Sequence, residues 1–206
     1  MQINFWHRKN VGPAKSFWEL FMNGDIQADY YAFCDQDDIW DLDKLECAIM
    51  QLNNKVLLYA CNCRIINMNG KIINNIRLKK PPHISLNDMF ICGCTQGCSM
   101  VFTDKLRKQI IKSNLQHIPM HDIVVMAYAF ACGDIYWDQL PHFSYRIHEN
   151  NVVAKEKKSL LKKIKCVLWN WNNGRNNSVS YIAQEMINAN ILKRMKDKEY
   201  IEIVEN

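Results

Sequence analysis

The sequence predicts an α/β protein with one main domain, and three observations carry that reading. Strand-like runs alternate with helix-like runs along most of the chain. Two of the strand-like runs, Tyr30 to Cys34 and Val56 to Cys61, are continuously apolar, as strands buried on both faces of a parallel sheet are. Of the 206 residues, 49% are hydrophobic and 23% charged, a composition that can bury a core and argues against wholesale disorder. The length suits a domain over residues 1–154, followed by a helical region over 155–206.

The elements follow in order. The first segment, Asn4 to Asn10, is short and ends in the turn signal Asn10-Val11-Gly12-Pro13. Ala14 to Met22 reads as a helix, with Phe17, Leu20 and Phe21 at helical spacing, and Asn23-Gly24 stops it. After the strand at Tyr30, Leu42 to Leu52 is a helix whose Leu42, Leu45, Ile49 and Leu52 share a face, with Asp41 or Asp43 available as its cap. Arg64 to Ile73 reads as a hairpin turning at Asn69-Gly70. A helix over Ser85 to Phe90, a strand over Gly97 to Phe102 and a helix from Asp104 to Ile111 come next. A helix opening at His121 or Asp122 runs through Ala131, and a short strand spans Ile135 to Trp137. Two helices, Lys155 to Asn172 and Ser178 to Lys196, complete the chain.

Several classes are disfavoured. Nine cysteines is an odd count, and Met1 to Trp6 lacks the apolar core of a secretory signal. Free thiols in a reducing, cytoplasmic setting are therefore expected. The spacings Cys61-x-Cys63 and Cys92-x-Cys94-x3-Cys98 do not match paired zinc knuckles, so these residues read as small buried hydrophobes. No apolar run is long enough to span a membrane. The net charge of +5 is local, and no nucleic-acid motif accompanies it.

Chemistry concentrates at Asp35-Gln36-Asp37-Asp38, where a buried strand runs into three carboxylates. Ligands of open α/β sheets bind at the carboxyl ends of strands. Crowded carboxylates repel unless a cation neutralises them, and oxygen ligands of this kind suit Mg²⁺ or Mn²⁺. The competing reading is a solvated acidic helix start.

The segment Tyr31-Ala32-Phe33-Cys34-Asp35-Gln36-Asp37-Asp38-Ile39-Trp40, followed by Asp43-Lys44-Leu45, resembles the metal-site segment of bacterial family 2 glycosyltransferases of the rhamnosyltransferase-like group. The resemblance runs from Asn10 to Asn151. It implies a GT-A-like, Rossmann-like mixed sheet flanked by helices. It also implies that Asp35 lies near the nucleotide ribose, that Asp37 binds the metal holding the diphosphate, and that Asp38 supports them. Ile91 to Thr95 then matches a glycine-containing loop, placing Gly93 and Thr95 near the donor. Met120-His121-Asp122 matches the catalytic carboxylate position, making Asp122 the general base of an inverting displacement. Tyr145-Arg146-Ile147-His148 resembles the family's YRxHxxN segment, with His148 reaching the metal and Arg146 the phosphates. The implied partners are a dTDP- or UDP-linked sugar, with rhamnose as the named candidate, and a glycan or lipid-linked glycan acceptor.

Against that pattern the chain enters at what would be the third strand, Gln2 to Trp6, so two βα units of roughly 60–80 residues are expected to be lacking at the N-terminus. An inactive remnant or interaction module is the alternative this raises. In the C-terminal region Lys155, Lys157, Lys158, Lys162, Lys163 and Lys165 flank Leu160, Leu161, Ile164, Val167, Leu168 and Trp171. A basic amphipathic helix of this kind suits peripheral contact at the inner face of the plasma membrane, and a helix packed on the domain is the competing reading.

Overall fold

The computed structural model describes residues 3–7, 9–83, 95–115, 118, 120–148 and 184. Within them lie α1 (Pro13–Met22), β1 (Tyr30–Ala32), β2 (Ile39–Trp40), α2 (Lys44–Gln51), β3 (Val56–Ile66), β4 (Ile72–Asn74), a 3₁₀ turn (Gly97–Ser99), β5 (Met100–Thr103), α3 (Asp104–Lys112), α4 (His121–Cys132) and β6 (Asp134–Arg146). The strands form one sheet in the order β1-β5-β3-β6-β2, with β4 paired to β3 beside that path. The mixed α/β class is therefore observed. The expected helix over Ser85 to Phe90 and the region 155–206 lie outside the described residues, Gln184 excepted.

The sheet is built on β3 and β6. They pair in parallel from Val56 opposite Asp134 to Ile66 opposite Arg146, with register shifts near Asn62. β3 pairs antiparallel with β5, and β5 antiparallel with β1. One core cluster gathers Leu57, Leu58, Met100 and Phe102 against α1, α3 and α4. A second packs Tyr59, Cys61 and Phe143 against Ala48 and Leu52, on the side of α2. Burial of these side chains, at about 25 cal/mol per Å² of apolar surface, is the main stabilising term.

Local chemistry explains the element ends. Proline opens α1, where its missing N–H costs nothing, and Gly12 before it takes φ 85°. The carbonyls at the far end of α1 are satisfied by a buried guanidinium. Arg107 on α3 donates from Nε to Phe21 O at 2.8 Å and from Nη2 to Asn23 O at 2.7 Å. Thr103 caps α3, its hydroxyl accepting from Leu106 N at 3.3 Å. The hairpin turns where expected, at Asn67 to Lys71 with Gly70 at φ 78°.

Four expectations need correction. Residues 3–6 form no strand. β1 is not buried on both faces. Its three residues are half-buried, and its hydrogen-bonded neighbour is the antiparallel β5. Its apolar look comes from aromatic rings with polar tips, and Tyr31 uses its hydroxyl to accept from Ala28 N at 2.9 Å. The strand expected from Gly97 begins only at Met100, because Gly97–Ser99 coils into a 3₁₀ turn.

The face of α2 is also different. Leu42, Leu45 and Ile49 are exposed, while Lys44, Ala48 and Leu52 are buried. The lysine sets this rotation. Its ammonium donates to Cys98 O at 2.5 Å and sits 3.6 Å from the Trp40 ring centroid. Asp43 occupies the N-cap position without a side-chain capping bond.

Replacing Arg107 strands several buried carbonyls at once. Arg107→Ala is expected to lower unfolding stability by roughly 2–4 kcal/mol in urea titrations, with Arg107→Lys recovering only part because it lacks the fork.

Candidate active site

Strand directions decide where the site forms. β5 runs against both β1 and β3, and β6 runs with β3, so β1 and β6 point the same way. The segments leaving β1 and β6 therefore meet the segment entering β5 at one edge of the sheet. Those segments are Phe33 to Asp38, Ile147 to His148, and Thr95 to Ser99. α4 presents its N-terminus to the same edge. A cleft of about 420 Å³ opens there, lined by Pro13, Phe17, Cys34, Asp35, Gln36, Asp37, Gln96, Gly97, Cys98, Met120, His121, Asp122, Tyr145 and His148.

Asp37 and His148 come together. His148 Nε2 lies 3.1 Å from Asp37 Oδ2, across 111 positions of sequence. Asp35, Asp38 and Cys98 form a neighbouring trio, with one polar side-chain atom from each lying within 4.8 Å of the others. Burial raises the pKa of Asp35, and the charge of Asp37 adds to it. Asp38 is pushed up to about 6, first by burial, with the Cys98 thiol and the Arg146 N–H offsetting part and Asp35 and Asp37 adding to it. Asp38 Oδ2 is buried with no hydrogen-bond partner. Burial also drives the Cys98 thiol far up, so it stays protonated between the carboxylates.

Asp122 lies in the first turn of α4, where the exposed N–H groups favour negative charge. Its Oδ1 accepts from Ile123 N at 2.8 Å. Burial nevertheless raises its pKa, with the N–H groups of Ile123 and Gly97 pulling the other way. Gly97 has no room for a side chain. A Cβ there would stand 2.7 Å from His121 Nε2 and 3.4 Å from the Asp122 Cβ. His121 packs between Phe17 and Phe33, at 4.6 and 4.5 Å between ring centroids, and burial lowers its pKa to about 4. It is a neutral, apolar wall at working pH.

The remaining expected residues sit differently. Arg146 donates from Nε to Asp37 O at 3.0 Å and from Nη1 to Asn67 O and Met68 O at 3.0 and 2.9 Å. Its backbone N–H reaches Asp38 Oδ1 at 3.4 Å. It thus binds the acidic loop to the hairpin turn. Thr95 turns its hydroxyl to Ser99 at 2.5 Å and is not part of the cleft lining. Gly93 lies outside the described residues.

Cys98, His121 and Lys44 are contributors that sequence reasoning did not assign to the site. The adjacency of His121 to Asp122 was the available signal for one of them. The described cysteines are free thiols. No helix among the described residues is long and apolar enough to cross a membrane.

A mixed sheet flanked by helices, with an acidic cleft at the carboxyl ends of its strands, is compatible with a glycosyltransferase fold. No family model matches the chain. Among curated proteins, the chain is similar to the dTDP-rhamnosyl transferase RfbG of Shigella flexneri, 29% identical over 201 residues, which cover 92% of this chain and 68% of that protein. That similarity supports a glycosyltransferase relationship.

Two outcomes are expected. Burial lifts the Asp38 pKa from the ordinary carboxylate value of 3.8 to about 6, so the folded state holds its proton more tightly. The associated stability is complete below about pH 4 and is lost as pH rises through 6. After solvent screening the loss is roughly 1–2 kcal/mol, and Asp38→Asn removes this slope from chemical-denaturation curves taken without divalent cations. Gly97→Ala drives a methyl into His121 and is expected to cost about 1–3 kcal/mol in the same assay.

Proposed function

We propose that the chain is a GT-A-type glycosyltransferase of family 2. It moves a sugar, with rhamnose from dTDP-rhamnose as the first candidate, from a nucleotide diphosphate to a cell-surface glycan or lipid-linked glycan acceptor. The observation that carries this reading is the contact of Asp37 with His148 at the edge where Asp122 also stands. The similarity to a dTDP-rhamnosyl transferase supports the donor class.

The donor set fits a divalent cation. Asp37 Oδ2 and His148 Nε2 at 3.1 Å are spaced like adjacent ligands of a small ion, and the unpartnered oxygen of Asp38 lies in the same loop. Mg²⁺ or Mn²⁺ held by Asp37 and His148 would supply charge stabilisation to a leaving diphosphate. The chain's own residues do the rest. Asp35 lies where β1 ends and would meet the ribose. Asp122 faces the acceptor side of the cleft, and its raised pKa suits removal of a hydroxyl proton. Phe17 and His121 form an apolar wall that keeps water from competing with the acceptor. Arg146 acts by holding the acidic loop, since its guanidinium is engaged with three carbonyls. The resemblance assigns Gly93 and Thr95 to the donor side, although Thr95 in the fold bonds Ser99 and does not line the cleft. The basic segment from Lys155 to Lys165 gives the enzyme a peripheral hold at the inner face of the plasma membrane.

Titration with UDP and dTDP, each with and without Mn²⁺, tests the reading. Binding is expected to need the cation and to weaken by about 10- to 100-fold in His148→Ala. Asp122→Asn is expected to keep donor binding and to lower transfer by about 10²–10⁴-fold. Donor binding indifferent to Mn²⁺ and to His148 would refute the assignment.

A further inference from the structure

A second group of metal-ligating side chains lies apart from the cleft. Asp43 stands at the N-cap of α2, and Cys47 follows four residues later on the same helix face. His142 of β6 meets them. One ligand atom from each of the three lies within 4.8 Å of the others. None of the three lines the cleft at Asp35 to Asp38.

The hydrogen-bond inventory around His142 is unusual. Its side chain is only 7% exposed. Nε2 faces Asp138 Oδ2 at 3.2 Å, and Nδ1 faces Asp43 Oδ1 at 3.3 Å. Asp138 is itself fixed, accepting from Tyr59 Oη at 2.9 Å and from Leu140 N at 2.9 Å. A neutral imidazole has one N–H to give. With that proton on Nε2, toward the anchored Asp138, the lone pair of Nδ1 points at a carboxylate oxygen. Two acceptors at that distance need something positive between them.

A proton on Nδ1 would serve the pair, yet it leaves Cys47 unexplained. A divalent cation takes all three donors. The 3.3 Å separation of Asp43 Oδ1 and His142 Nδ1 is the edge of a tetrahedron with bonds of about 2.0 Å, the length of Zn–N and Zn–O bonds. A carboxylate behind a histidine, as Asp138 stands behind His142, is the usual outer support of a metal-bound imidazole. The mixture of sulfur, nitrogen and oxygen selects a borderline ion over Mg²⁺ or Mn²⁺. The surroundings favour a cation as well. Asp43 and Asp138 each set a carboxylate oxygen against the His142 ring, and Cys47 stands one helical turn beyond Asp43.

We propose that Asp43, Cys47 and His142 bind one Zn²⁺-class ion, with solvent at the fourth position beside the exposed Asp43. The ion clips the start of α2 to β6. The Asp35 to Asp38 loop leads into α2 through β2, and β6 leads to His148, so the clip joins the two limbs that close the cleft.

The test uses the full chain stripped with a chelator. Zn²⁺ is titrated calorimetrically, and Co²⁺ is followed by absorption. One Zn²⁺ equivalent that depends on Cys47, and a thiolate-to-cobalt charge-transfer band, are expected. Cys47→Ser, at a half-exposed helix position, should abolish the band and weaken Zn²⁺ by more than about tenfold, and the exposed Asp43→Asn should also weaken it. Asp37→Ala removes a ligand of the cleft alone and should leave the thiolate-to-cobalt band intact, which separates this site from the cleft. No Zn²⁺ binding, a band that survives in folded Cys47→Ser, or a band lost in folded Asp37→Ala would overturn the assignment.

Discussion

Negative charge collected at the end of a three-residue strand is the constraint around which the rest of the fold is arranged. Asp35, Asp37 and Asp38 leave β1 into a partly buried loop, where Asp37 raises the cost of ionising Asp35, and Asp35 and Asp37 raise that of Asp38. Such a cluster persists only where the neighbouring structure holds it. β6 does much of this, because its final residues lie beside the loop. The backbone of Arg146 reaches Asp38, its side chain reaches the Asp37 carbonyl, and His148 reaches the Asp37 carboxylate. The parallel pairing of β3 with β6 over eleven residues of β3 is what delivers those groups to that edge.

Beneath the loop sits a buried lysine. Lys44 is fully buried, and burial lowers its pKa. A buried ammonium is costly unless its surroundings are polar or aromatic. Here the Cys98 carbonyl and the rings of Trp40 and Phe143 surround it, with Asp38 and Cys34 within its field. This placement fixes the rotation of α2 and turns Leu42, Leu45 and Ile49 outward. Apolar exposure on α2 is thus the counterpart of charge compensation under the site. An apolar residue at position 44 would suit the helix alone and remove the cation that offsets the carboxylates.

Sequence reading reached the parts that depend on local order. A strand running into Asp35 to Asp38, the Asn69-Gly70 hairpin and a helix starting beside Asp122 are each signalled by neighbours in the chain. The meeting of Asp37 with His148 was legible only through motif order, since nothing local links residues so far apart. What stayed hidden depends on pairing. Tyr30 to Cys34 has the composition of an interior strand, and only its partner shows it to be a half-buried antiparallel one. β6 runs for thirteen residues, but Asp138 and Pro141 disguise its length. The register shift beside Pro141 absorbs a residue that cannot donate to the ladder. Cys98 reads in sequence as a small buried hydrophobe and His121 as a helix start, and both are buried residues that also wall the site.

Arg146 shows how motif and geometry divide a role. Resemblance assigns it to phosphate, and a forked guanidinium suits that task. In the folded chain the fork grips carbonyls from two separate loops, Asp37 on one side and Asn67 and Met68 on the other. Those bonds tie the loop carrying Asp37 to the hairpin turn, and the arginine also lies against the open pocket shared by Asp37, Asn69 and His148. The economical arrangement keeps the arginine as the frame and leaves ligand contact to the carboxylates and the histidine. Geometry at a metal-binding loop is sensitive to small displacements, so a residue that fixes Asp37 contributes to binding without touching the ligand.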